Sequence, residues 1–361
     1  MSKIDDLIKQ YCPDGVEFKP IGQVAEVGTG NSDRKDATPN GEYPFYVRSK
    51  NILRISSYAF DEEAIIIPGE GGVGDIFHYV NGRYALHQRA YRIHFITPTI
   101  STKYAYYYFV ANFKRFITKK AVNATVASIR KPMIMDFKIA VPPLEVQQEI
   151  ANILDKFTQL EAELEVELEA RKKQYEYYRN QLLTFDEVGA HWTTLGEVAM
   201  LKNGNDWKKL DAGDIPVYGS GGVMASVDKP AYNKPTVLIP RKGTITNIFY
   251  VDKPFWNVDT VYYTEISDKV VPKFFYYYMK TVDLTKLDMG SGRPSLTQAI
   301  LNKIRVPVPS IAEQNRIVSI LDKFDALVHD ITQGLPAEIT ARRKQYEYYR
   351  NKLLTFTELA V

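Results

Sequence analysis

The chain contains five histidines, His78, His87, His94, His191 and His329, and a single cysteine, Cys12. No pair of histidines has a metal-binding spacing such as H-E-x-x-H, and one thiol can build neither a zinc cluster nor an internal disulfide. No G-x-S-x-G nucleophile turn occurs. The Asn/Asp-Pro-Pro-aromatic tetrapeptide of adenine and cytosine methylation is also missing, because Val141-Pro142-Pro143-Leu144 lacks both the polar first residue and the aromatic. One phosphate-loop candidate remains. Gly69-Glu70-Gly71-Gly72-Val73-Gly74 matches G-x-G-x-x-G, but a dinucleotide site must open a helix next, and Asp75-Ile76-Phe77-His78-Tyr79-Val80 reads as a strand. Asp75 also stands where a P-loop needs lysine. The segment reads instead as a tight hairpin whose Gly71 and Gly72 let backbone amides approach a phosphate. A chain that performs no chemistry alone is the expectation.

Side chains that recognise rather than react are plentiful. Asn31, Arg34 and Lys35, then Arg48, Lys50 and Asn51, then Arg83, Gln88 and Arg89, then Lys119, Lys120, Arg130 and Lys131 gather within residues 31–131. Later come Asn205, Lys208 and Lys209, then Arg241, Lys242, Thr244 and Asn247, and finally Arg293, Ser295 and Gln298. Arg and Lys match guanine edges and phosphates, while Asn and Gln match adenine edges. Any one of them alone is more simply a solvated surface group. The clustering in turn-like segments is what points to a nucleic acid.

These segments occupy equivalent places because the chain is written twice. Residues 170–185, ARKKQYEYYRNQLLTF, recur at 341–356 as ARRKQYEYYRNKLLTF, and Val141-Pro142…Gln147…Ile153-Leu154-Asp155-Lys156-Phe157 recurs as Val308-Pro309…Gln314…Ile320-Leu321-Asp322-Lys323-Phe324. Weaker matches pair Ile21-Gly22-Gln23-Val24-Ala25 with Leu195-Gly196-Glu197-Val198-Ala199 and Tyr106–Tyr108 with Tyr276–Tyr278. Pro240-Arg241-Lys242-Gly243-Thr244 then falls where the first copy has its glycine loop. Short β-rich runs such as Ala64–Pro68 and Thr236–Pro240 alternate with Gly, Pro and Asn turns, and the Tyr-rich stretches 103–117 and 273–280 read as helices. The fold class is α+β. Two α/β globules, residues 1–145 and 186–310, alternate with helical segments 146–185 and 311–361.

The helical segments carry apolar residues in steps of three and four, including Leu160, Leu164, Leu168, Tyr175 and Tyr178. No Gly or Pro interrupts residues 147–185, so one helix of about 58 Å is possible at about 1.5 Å per residue. The second copy meets Gly334 and Pro336 and should kink near 334–336. Matching seams in one chain can pair antiparallel. The block containing Tyr175, Tyr178 and Arg179, repeated as Tyr346, Tyr349 and Arg350, is more alike between copies than a seam demands, which points to a common docking partner.

The whole-chain balance hides this organisation. The 361 residues hold 46 Lys+Arg and 43 Asp+Glu, a net charge of +3. Residues 1–145 carry 19 basic and 15 acidic groups and 186–310 carry 15 and 13, whereas 146–185 carry 5 and 8. Two mildly basic globules are thus masked by an acidic helix. Hydrophobic residues make up 45% of the chain, enough for real cores, and no run reaches the roughly 18 apolar residues of a membrane span. The lone cysteine and the absence of an apolar leader make the cytoplasm the expected compartment.

The segments PDGVEFKPIGQVAEVGTGN, VPPLEVQQEIANILDKF, ARKKQYEYYRNQLLTF, VPVPSIAEQNRIVSILDKF, GLPAEI and ARRKQYEYYRNKLLTF resemble, in order, the regions shared by specificity subunits of type I DNA restriction-modification systems. That resemblance implies a non-catalytic subunit with two target recognition domains, each reading half of a bipartite asymmetric site in double-stranded DNA. It implies an antiparallel coiled-coil spacer with pseudo-twofold symmetry. Two methyltransferase subunits carrying S-adenosylmethionine would dock on the spacer, and restriction subunits using ATP and Mg would join them. This chain itself would hold no cofactor and no metal. The competing reading is a scaffold that pairs two partner subunits without reading DNA, which accounts for the like helices but not for the divergent basic globules.

Overall fold

A computed structural model describes residues 3–72, 74–120, 128–186, 190–287, 295–330 and 332–360. They form two compact units, Met1–Leu164 with Ile339–Val361, and Glu165–Glu338. The units interleave the linear segments drawn at 145, 185 and 310, because each globule is completed by stretches of two helices.

The first unit begins with α1 (Lys3–Tyr11), β1 (Glu17–Pro20), α2 (Ile21–Val24), β2 (Ala25–Thr29), β3 (Tyr43–Tyr46) and β4 (Leu53–Ile55). It continues with β5 (Phe60–Pro68), β6 (His78–Leu86), β7 (Ala90–Phe95), α3 (Thr102–Lys120), α4 (Lys131–Met135) and β8 (Lys138–Val141), and leads into α5 (Leu144–Leu182). Six strands make one sheet in the order β2-β7-β5-β6-β3-β4, with only β3 and β6 parallel, and β1 pairs with β8. The continuous apolar run Ala64–Pro68 is the buried half of β5, flanked by β7 and β6. Tyr104, Tyr107, Phe109, Phe113 and Ile117 of α3 close the core beneath it.

The second unit repeats the plan. Its elements are β9 (His191–Thr194), α6 (Leu195–Val198), β10 (Ala199–Asn203), β11 (Ile215–Gly219), β12 (Gly222–Val227), β13 (Thr236–Pro240), β14 (Phe249–Val251), β15 (Trp256–Asn257) and β16 (Val261–Ile266). Then follow α7 (Pro272–Met279), α8 (Gln298–Leu301), β17 (Arg305–Val308), α9 (Ile311–His329) and α10 (Leu335–Leu353). Here the large sheet is split into β10-β16-β13-β14 and β12-β11-β15. The nine-residue β6 of the first unit corresponds to β14 and β15, which Asp252-Lys253-Pro254 separates. Proline cannot donate to a strand ladder, so the ladder ends there.

Two sequence expectations change in detail. The strand read from Asp75 begins only at His78, so the connection after β5 is a longer loop than a tight hairpin. Its distal part is drawn onto α3, with Phe77 edge-on to Phe113 at 6.2 Å and Lys114 paired with Asp75 at 2.6 Å. The kink near 334–336 is a full break between α9 and α10. Gly334 has φ +109°, and a Cβ there would lie 2.4 Å from the Ala326 carbonyl oxygen.

The helix α5 starts directly after Pro142-Pro143 and runs unbroken for 39 residues. Within the first unit Phe157 stacks on Tyr349 at 5.5 Å and Glu161 pairs with Arg343. Within the second, Tyr178 stacks on Phe324 at 5.7 Å and Tyr175 meets His329 edge-on at 5.5 Å. In both, one helix number rises as the other falls, so each pairing is antiparallel.

The same two joints fix each globule to its helix. Gln147 and Gln314 are fully buried. Gln147 accepts the Ser101 N–H at 2.9 Å and donates to the Thr99 and Pro142 carbonyls at 2.8 and 2.6 Å. Gln314 accepts the Val271 N–H at 2.7 Å and donates to the Lys269 and Pro309 carbonyls at 3.0 and 2.8 Å. Further along, Asp155 accepts Tyr107 at 2.5 Å beside Lys103, and Asp322 accepts Tyr277 at 2.6 Å beside Lys273. Burial and the bound carboxylate push both phenols well above their ordinary pKa, so they stay protonated donors.

Candidate nucleic-acid interface

Strand ends in each unit deliver loops to one place, and backbone bonds tie the loops together. In the first unit Ser32 N–H donates to the Leu86 carbonyl at 3.3 Å, Gly69 N–H to Arg89 at 2.9 Å and Ile129 N–H to Gly69 at 2.7 Å. In the second, Asn205 N–H donates to Asn257 at 2.9 Å, Arg241 N–H to Thr260 at 2.9 Å and Leu296 N–H to Arg241 at 2.8 Å. Both starts depend on a glycine. A Cβ on Gly30 would lie 1.7 Å from the Leu86 oxygen and one on Gly204 2.1 Å from the Val258 oxygen.

Across the first unit's loops, charged and amide side chains interlock. Arg48 and Arg89 both donate to Glu70 Oε2, at 2.9 and 3.2 Å. Those two guanidinium groups, Arg89 first, hold the Glu70 carboxyl below the usual range. Gln88 Nε2 donates to Asp33 at 3.0 Å, and Asp33 also caps the short turn carrying Arg34 and Lys35. Its backbone bond from Lys35 keeps the Asp33 carboxyl low. Burial holds His87 below its ordinary pKa, and its neutral ring accepts the Arg89 N–H at Nδ1, 2.9 Å away. Asn31, Lys50 and Asn51 are exposed at the same loops, with Ser49 donating to the Asn51 carbonyl at 3.0 Å. Gly71 and Gly72 take φ +71° and +63°, as a loop presenting its backbone requires.

Other candidates lie apart from this network. Arg83 is on β6, bound to Asp61 at 3.1 Å and 4.8 Å over the Tyr58 ring. Lys119 is exposed on α3, Lys120 ends that helix, and Arg130 and Lys131 begin α4 two residues after Ser128, which bridges to Glu70.

In the second unit the loops enclose an open cavity of about 720 Å³ lined by Trp207, Lys208, Ser220–Met224 and Val258–Thr260. Asn205 accepts Trp256 Nε1 at 3.0 Å, Lys208 and Lys209 are exposed, and Asn247 donates to the Ser220 carbonyl at 3.2 Å. Arg241 lies 5.2 Å over the Tyr262 ring, Lys242 bridges to Ser295, Thr244 is exposed, and Gln298 donates to Asn203 at 3.5 Å. Arg293 falls outside the described residues. Glu70, Asp33, Trp207 and Met224 are the participants that sequence reasoning missed. The acids were hidden because only loop closure brings them to the basic groups, whereas Trp207, within Asn205-Asp206-Trp207-Lys208, was open to view.

The helix residues are divided by the pairing. Tyr175 is 2% exposed, Leu164 and Leu168 are half-buried, Leu160 is exposed, and Tyr178 and Tyr349 are spent on Phe324 and Phe157. Arg179 covers Tyr175 at 5.6 Å and Arg350 covers Tyr346 at 5.5 Å. Tyr177 and Tyr348 are more open, at 60% and 62%, than Tyr178 and Tyr349, at 41% and 36%.

Among the described residues no group of three His, Cys, Asp or Glu could hold a metal, and no helix is long and apolar enough to cross a membrane. The model of the type I restriction modification DNA specificity domain matches this chain twice, at residues 13–170 and 190–341. The chain belongs to that family. A putative type I restriction enzyme specificity subunit of Haemophilus influenzae is 30% identical, over 95% of this chain and 96% of the relative. The S subunit from M. genitalium has a similar fold, with TM-score 0.66, 21% identity and coverage of 94% and 96% of the two chains. A chain from a structure on complex assembly and conformational transition of the type I system gives TM-score 0.64 at 12% identity, covering 95% and 98%. As a specificity subunit of a type I restriction-modification system, the protein combines two copies of one domain with a 39-residue helix. In this specificity subunit the glycine loop lies between strands β5 and β6, so the helix-opening geometry of a dinucleotide site is absent there.

Proposed function

We propose that each unit reads one half of a bipartite, asymmetric site in double-stranded DNA through its loop face, and that the paired helices set the gap between the halves. The chain is non-catalytic. Two methyltransferase subunits, which bring S-adenosylmethionine, dock on the helices, and restriction subunits using ATP and Mg complete the larger assembly. The observation that carries this reading is that equivalent backbone bonds build both loop faces while their side chains differ. An arginine–glutamate–arginine fork occupies one face, and a cavity with Trp207, Met224 and Lys208 occupies the other. Bidentate cations suit guanine, and apolar groups suit the thymine methyl. One framework with unlike readers accounts for an asymmetric site better than a scaffold without DNA contact.

The gap is the testable quantity. A Leu-Glu-Ala-Glu insertion after Leu164 lengthens α5 by about 6 Å, against about 3.4 Å per base pair of duplex. Modified-base sequencing of host DNA, after co-expression with the methyltransferase subunits, should show the gap wider by one or two base pairs and both half-sites unchanged. New half-sites, or the old gap, would refute the reading.

A further inference from the structure

The proposed reading leaves one charged surface unused, a groove of about 640 Å³ between α3, the loop after β5 and α10. Lys114, Arg115, Lys119 and Arg350 line it, with Asp75 as its acid. The helical period explains the helix's share. Phe109, Phe113 and Ile117 point into the core, at 1% exposure or less, which leaves Lys114 with Thr118 and Arg115 with Lys119 as neighbouring exposed pairs one turn apart. Thr102–Lys120 contains five basic residues and no acidic one.

Like charges four residues apart cost a helix a few tenths of a kcal/mol. The helix dipole favours cations only in the last turn, so it does not account for Lys114 or for Arg115, which donates to the neutral Asn112 side chain at 2.9 Å. Arg350 reaches the groove from α10, so two separate elements contribute cations. Asp75 answers one of them, Lys114, at 2.6 Å. The remaining excess faces solvent. Among the described residues of the second unit this helical extension has no counterpart, because α7 ends at Met279 after eight residues.

We propose that this groove binds the phosphate backbone of the duplex flanking the half-site read by the first unit, giving that half a longer, sequence-independent footprint than the other. The inference rests on the proposed DNA reading. Continuity with the loop face supports it, since one loop carries Glu70 and Gly71 at its beginning and Gly74 and Asp75 at the groove. Phosphate contacts position a protein without carrying sequence information.

The test compares the wild-type complex with Lys114→Ala/Arg115→Ala/Lys119→Ala, each purified with its methyltransferase subunits. Alanine favours helix, and the three side chains are exposed, so folding is spared. Binding is measured against salt on two duplexes, one carrying the methylated site and one lacking it. At about 0.9 per phosphate contact, the slope of log K against log salt should fall by about two to three on both duplexes. Hydroxyl-radical protection should shrink on one flank only, and the methylated sequence should stay the same. An unchanged slope, a changed recognition sequence, or loss of the methyltransferase subunits during purification would overturn the groove proposal. Absence of salt-sensitive binding by the wild type would instead overturn the DNA reading beneath it.

Discussion

Replacing Gln147 by Leu tests whether the buried glutamines are the hinge pins that orient each recognition unit on its helix. The amide is fully buried and satisfies three backbone groups, at Ser101, Thr99 and Pro142. Leucine fills similar space and leaves all three without that partner. An unsatisfied buried group costs about 1–3 kcal/mol, and carbonyls retain partial satisfaction elsewhere, so the expected loss is about 3–5 kcal/mol for the first unit. At about 2–4 °C per kcal/mol for a body of this size, its melting should fall by roughly 10 °C. Gln147→Glu keeps the acceptor for Ser101 and loses the two amide donors, so it should be destabilising as well. Hydrogen exchange read by peptide mass gives the location. Gln147→Leu should accelerate exchange at the start of α3 and in β8, and Gln314→Leu at the start of α7 and in β17. A cost under about 1 kcal/mol, well below that of even one unsatisfied buried group, or equal softening of both units by either variant, would refute the argument.

Two further outcomes follow from the backbone. Gly30→Ala and Gly204→Ala each force a Cβ into a carbonyl oxygen, at 1.7 and 2.1 Å; footprinting of the assembled complex should show Gly30→Ala weakening only the first unit's half-site and Gly204→Ala only the second's. Asp330 accepts Thr332 N–H and Oγ1 at 2.7 and 2.6 Å in the turn joining α9 to α10, and these bonds lower its carboxyl from 3.8 to about 2. A depressed carboxyl stabilises the fold above the unfolded value and loses that contribution as pH falls through the folded one. Urea midpoints should therefore favour wild type over Asp330→Asn above pH 3.8, with the difference shrinking toward pH 2.

What the sequence disclosed depended on range. The duplication, the long helix and its break were legible because each rests on local signals: identical blocks, an unbroken run from 147 to 185, and Gly334 before Pro336. Gln147 and Gln314 were visible as matching letters, yet their function was not, since their partners lie in segments 5 to 48 residues away. The strand expected from Asp75 was displaced to His78 by Phe113 and Lys114, which no local pattern announces. Basic groups were found at the loops because they cluster in sequence. Lys114 and Arg115 escaped because a helical period, not a loop, groups them with Lys119.

The structure also changes what the near-identity of the two helical blocks means. Phe157 of the first repeat stacks on Tyr349 of the second, and Phe324 of the second stacks on Tyr178 of the first. Each upstream block is therefore seated on the other repeat's downstream block. A change in QYEYYR at 174–179 must suit the surface around Phe324, and the same change at 345–350 must suit that around Phe157, so equivalent seats hold both copies to the same side chains. This internal fit accounts for Tyr175, Tyr178, Tyr346 and Tyr349 without any partner protein. It does not account for Tyr177 and Tyr348, which are identical in both copies and stand 60% and 62% exposed. Each meets the ring of the next tyrosine edge-on, at 5.4 and 5.3 Å, yet keeps most of its surface open, so the docking role proposed for the helices falls on these two residues ahead of Tyr178 and Tyr349, which are 41% and 36% exposed.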